Sequence, residues 1–182
     1  MVGVLVVAGL VSARYGLGTV DATTALHVSM LVTLLGACYV LDDPAAASLV
    51  AMPVGPLHTT ALRMTVGSVL VGASWLAQLA LAPQLVTSSA DWHPLGLVVE
   101  PFAILTAVFA VGAWRIGARP ERSAAPAALL VLFGYYAIML FAPESFVLVA
   151  SSADHVWSAS RVRWVVLLLA GLIGDWWVLR RL

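Results

Sequence analysis

Long apolar blocks dominate this chain, and short stretches holding most of its prolines and charges separate them. A helix needs about 20 apolar residues to cross the hydrocarbon core of a bilayer. Six blocks meet or approach that length, at about 1–15, 23–41, 62–81, 95–116, 125–141 and 164–179. They predict an all-α polytopic membrane protein with six transmembrane helices, organised as one transmembrane domain over 1–182. The first block is the shortest. To span, it must tilt, thin the bilayer locally, or let Arg14 snorkel to the surface. Its opening, "MVGVLVVAGLVSARYG", has no positive region ahead of the apolar run, so a true span is expected rather than a cleaved signal.

Composition makes the same point. Of the 182 residues, 62% are hydrophobic and only 10% charged, with a mean hydropathy of +1.02. A soluble domain carries about 25% charged residues, and so few charges cannot clothe a water-facing surface. Formal net charge is zero, which implies no bulk attraction to nucleic acid. Cys38 is the sole cysteine, so neither an internal disulfide nor a cysteine metal cluster can form. Lysine is absent, which removes the phosphate-binding loop of ATPases and any Schiff-base lysine. Arginine bias in short loops orients a membrane protein. With the N-terminus inside, the inner segments hold Arg63, Arg115, Arg119, Arg122, Arg180 and Arg181, against Arg14, Arg161 and Arg163 outside. Both termini are therefore expected in the cytoplasm. Trp92 and Trp157 would mark the outer boundary, and Trp114, Trp176 and Trp177 the inner one.

The link between the second and third blocks, "LDDPAAASLVAMPVGPLHTTALR", breaks the apolar pattern. Asp43 followed by Pro44 is a good helix start, since the carboxylate accepts from free N–H groups and proline tolerates the first helical position. A short helix over 44–52 is expected, stopped by Pro53 and lying at the cytoplasmic membrane surface. The helix dipole favours its acidic end by ~0.3–1 kcal/mol. Its plain role is to order a long loop. A length well beyond a minimal connection points instead to a docking element.

Polar residues inside the blocks are the other candidates. An ionised acid at bilayer depth costs ~2.5 kcal/mol or more, so Glu100 needs a cavity or a partner. Pro101 is expected to kink the helix beside it. Glu100 and Pro101 are read either as part of a translocation path or as structural. In the structural case, Glu100 pairs with Arg161, Arg163 or Arg14, or bonds to a neighbour as a protonated acid. His27, near Ser29 and Thr33, reads as an interhelical hydrogen-bond donor or as a further path residue. Asp175 is expected to pair with Arg180 or Arg181, and Gly171 and Gly174 to permit close helix packing. His58, His93 and His155 lack metal-ligand spacing, so no metal site is expected. No hydrolase or metalloprotease motif occurs, and Ser151, Ser152, Asp154 and His155 are too close in sequence to converge. No catalytic site is expected.

Six spans, a small cytoplasmic helix after the second, and a longer outer segment over 142–161 resemble the type-2 ABC export permeases. The link carries the likeness in sequence: Asp42 and Asp43 close the second span, "AAASLVAM" follows, then Pro53-Val54-Gly55-Pro56, with Arg63 opening the third span. The amphipathic N-terminal helix usual in that family is missing. The resemblance implies a coupling helix seated on a separate ATPase subunit. Asp42, Asp43, Pro44, Ala47, Ser48, Leu49, Met52 and Pro53 would form that contact, and Glu100, Pro101 and His27 would line the path. It implies no cofactor in this chain, ATP and Mg on the cytoplasmic ATP-binding subunit, and a second permease copy or homologue as partner in a bacterial plasma membrane. The alternative is a six-span binding, scaffold or immunity protein that moves no cargo. An ion-coupled carrier using Glu100 is a third reading, but no inverted repeat with matched broken helices supports it.

Overall fold

The computed structural model describes residues 19–42, 56–81, 97–118, 123–141 and 157–181. Among these the chain is all-helical: α1 (Thr19–Ala37), α2 (Pro56–Leu81), α3 (Val99–Ala118), α4 (Ala125–Phe141) and α5 (Trp157–Leu179). The expected span over 1–15 and the expected link helix over 44–52 lie outside the described residues. Three stretches are long and apolar enough to cross a membrane, His58–Ala80, Val99–Gly117 and Ser160–Leu179. Leu26–Ala37 and Ala125–Ile138 are shorter apolar helices. Six full spans are therefore not supported over the described residues, where three helices are long and apolar enough to cross and two are shorter. These are compatible with a multi-pass membrane protein.

Boundaries also shift from expectation. α2 starts at Pro56, because proline suits a first helical position as well as it ends a preceding segment. α5 starts at Trp157 rather than 164: Ser158, Ser160, Arg161 and Arg163 interrupt the hydrophobic run without breaking a helix. α1 ends at Ala37, and tighter turns over 38–41 follow, with Tyr39 N donating to Gly36 O and Val40 N to Ala37 O.

α3 is the hub. It packs against α5 along its most extensive interface, and against α1, α2 and α4 as well. Gly171 faces Thr106 and Gly174 faces Ala110, so α5 runs parallel to α3. A Cβ on Gly171 would lie 2.1 Å from Thr106 Oγ1, and one on Gly174 3.4 Å from Ala110 Cβ. Close packing at these two glycines, expected from sequence, is present. Where α1 and α3 meet α2, a Cβ on Gly67 would come within 2.9 Å of both Phe109 Cζ and Val40 Cγ1. The core runs through Met30 and Leu34 of α1, Trp75 of α2, Leu105, Val108 and Phe109 of α3, Leu132 of α4 and Trp164 of α5.

α5 buries a narrow stripe: Ser160, Trp164, Asp175 and Val178. Val162, Val166, Leu169, Leu172 and Ile173 on its opposite face are exposed. Hydrocarbon solvates such a face without cost, whereas water would not.

Candidate functional site

Two clusters of polar side chains are built between the helices, with an anchor at one end of the bundle. The first cluster centres on Glu100, which is 3% exposed. Tyr135 of α4 donates its hydroxyl to Oε1 at 2.5 Å, and His27 Nε2 of α1 lies 3.3 Å from Oε2. Tyr136 donates to the backbone carbonyl of His27 at 3.1 Å, fixing α4 to α1 at the same level. Tyr135 packs edge-on against Tyr136 and against Trp164, so α5 closes one side.

Local sequence explains why a carboxylate is tolerated here. α3 begins at Val99, so Glu100 lies in its first turn, where the helix dipole contributes ~0.3–1 kcal/mol in favour of negative charge. Hydrogen bonds to a charged group contribute ~1.5–3 kcal/mol each. With Tyr135 and His27 present, these terms match the ~2.5 kcal/mol or more that the bilayer exacts. The start of α3 at Val99, later than the expected 95, also removes the expected kink. Pro101 sits in the first turn, where no intrahelical acceptor precedes it, so it opens the helix without bending it. Neighbouring side chains thus occupy both oxygens of Glu100.

Ser29 and Thr33, close to His27 in sequence, belong to the second cluster. Gln78 of α2, fully buried, places Oε1 2.6 Å from Ser29 Oγ, while its Nε2 donates to Thr33 Oγ1 at 3.3 Å and to Ser74 Oγ at 3.2 Å. It joins α1 to α2 as neutral interhelical hydrogen bonds do in membranes.

The anchor is Asp42. Its Oδ1 accepts from the backbone N–H of Ala124 at 2.6 Å and of Ala125 at 3.3 Å, and its Oδ2 accepts from Ser123 Oγ. α4 opens on alanines, which offer no capping oxygen of their own, and Asp42 supplies one from the end of α1. Arg63 Nη1 donates to the carbonyl of Leu41 at 3.3 Å. Residues 41 and 63 bracket the link, and that bond draws its two ends together. The other residues expected to meet an ATPase, Asp43, Pro44, Ala47, Ser48, Leu49, Met52 and Pro53, lie outside the described residues.

No protein-family model, curated protein or solved structure matches this chain. Its reading therefore rests on these sites.

One expected pair does not form. Arg180 lies over the Trp176 ring at 4.1 Å and Arg181 over Trp177 at 3.6 Å, while Asp175 Oδ1 is buried with no hydrogen-bond partner among the described residues. Helix geometry is the reason. Five and six residues beyond Asp175 fall about 140° and 120° around the helix, away from the stripe that faces α3. Sequence reasoning also missed Tyr135, Tyr136, Trp164 and Gln78 as partners. The adjacent tyrosines and the lone glutamine inside apolar blocks were the available signal.

Proposed function

We propose that this chain is the transmembrane permease subunit of an ATP-driven exporter in a bacterial plasma membrane, working with a separate cytoplasmic ATP-binding subunit and a second permease. The bonds made on either side of residues 43–55 are the observation that carries the proposal. Asp42 binds the start of α4, and Arg63 of α2 binds the Leu41 carbonyl in the turn after α1. A push on the link would pass into α1, α2 and α4 together rather than dissipate in a slack loop. The absence of lysine is consistent with a motor on another polypeptide. Arg63, Arg115, Arg180 and Arg181 all belong to the Asp42 end of the bundle, as they would with that end and both termini in the cytoplasm. His27, Glu100 and Pro101 then belong to the outer half of the path.

Purification of the tagged chain in gentle detergent from its own host cells tests the proposal. The expected result is co-purification that Asp43→Arg combined with Ala47→Arg abolishes while membrane abundance holds. Recovery of no ATPase, or indifference to that double change, overturns it and leaves a membrane binding or scaffold protein. On the path, Glu100→Gln is expected to impair export at unchanged abundance. Low abundance with normal activity per molecule would assign Glu100 a purely structural role.

A further inference from the structure

Glu100 and His27 are an acid and a base in contact within a helix bundle, and three helices meet on them. Glu100 is 3% exposed, and the His27 side chain is 18% exposed. We propose that Glu100, His27 and Tyr135 form a proton-binding site whose occupancy decides whether α1 stays fastened to α3 and α4.

The chemistry follows from the two facing atoms, His27 Nε2 and Glu100 Oε2, 3.3 Å apart. With one proton between them, Nε2–H donates to Oε2 and the pair is neutral overall. A second proton, taken up on the carboxylate, leaves an imidazolium against a carboxylic acid and an uncompensated positive charge. Removal of one proton leaves a neutral imidazole, which can donate only as its Nε2–H tautomer, against an ionised carboxylate, and the pair then carries a net negative charge. Either departure mismatches the pair in a medium without water to compensate, so the α1–α3 contact loosens. No other bond is made or broken.

The surroundings of the pair are defined. From α4, Tyr135 donates to Glu100 Oε1, and Tyr136 donates to the His27 carbonyl. From α5, Trp164 packs on Tyr135, with Arg161 and Arg163 in the turn before it. From α2, Trp75 Nε1 donates to the Leu97 carbonyl just before α3, and Gln78 bonds to Ser74 and to Ser29 and Thr33 of α1; none of these groups titrates. The site does not depend on coupling to an ATPase, and the isolated chain tests it.

Infrared difference spectra of the full chain in nanodiscs, between neutral and acidic buffer, read the carboxyl directly. The expected result is a protonated-carboxyl band that Glu100→Gln removes and Asp175→Asn retains. His27→Gln is expected to displace its midpoint about tenfold in proton concentration, the shift that one pKa unit of coupling produces. Persistence of the band in Glu100→Gln, or an unmoved midpoint in His27→Gln, overturns the site. Should Glu100→Gln fail to fold, Tyr135→Phe keeps both titrating groups and must still displace the midpoint. The fastening is read by spin labels on Val28→Cys and Ile138→Cys, both exposed, in a Cys38→Ser chain. The α1–α4 distance is expected to change at the same midpoint, and a distance that ignores pH overturns that part.

Discussion

Asp42 shows how much one side chain can settle. Its carboxylate completes the start of α4, and replacing a capping residue by alanine costs ~0.5–2 kcal/mol. Asp42→Ala is therefore expected to lower the thermal midpoint in detergent by an amount in that range. Asp42→Asn, which keeps an accepting oxygen, is expected to restore part of it. Asp175 is the converse case. Its buried Oδ1 has no hydrogen-bond partner among the described residues, and a buried unsatisfied polar atom costs ~1–3 kcal/mol. Asp175→Leu is expected to leave stability equal or raised in the same melt, since it removes that cost and loses no bond. A marked drop would reveal a bond that Asp175 makes in the membrane.

At the scale of the helices, the blocks over 95–116 and 125–141 anticipated α3 and α4 closely, because hydrophobic length is a strong signal. Which face of each helix turns inward was far less legible. In lipid both faces are apolar, so the usual contrast between core and surface vanishes. Small and polar residues mark the inside instead. α5 buries Ser160 and Asp175 and sets Gly171 against α3, while Val162, Val166, Leu169 and Leu172 face outward. Glu100 and His27 stood out in sequence because acids and histidines are rare in apolar blocks. Their joining depended on the relative placement of α1 and α3, which no local pattern encodes. Gly171→Leu is expected to force α5 away from Thr106 and destabilise the bundle by ~1–3 kcal/mol or more, seen as a lower thermal midpoint. Leu169→Val on the outward face should leave that midpoint within ~0.5 kcal/mol of the parent.

For the whole molecule the question is sidedness. The Asp42 end of the bundle gathers arginines from α2, α3 and the end of α5. With single cysteines in a Cys38→Ser chain, a membrane-impermeant thiol reagent added outside intact cells should leave Arg181→Cys unlabelled. Opening the cells should expose it. Labelling of Arg181→Cys from outside would invert the orientation and place the link on the wrong side for any cytosolic ATPase.

The bond between Asp42 and Ser123 joins residues 81 apart in the chain. A ribosome finishes α1 and passes it to the insertion machinery long before it makes Ser123, so the carboxylate enters the bilayer region with its eventual donors still unsynthesised. The finished bundle is consequently locked from its later half. Nascent chains cut short before residue 123 should be held loosely and cleared quickly by membrane proteases, while chains that reach α4 should escape that fate.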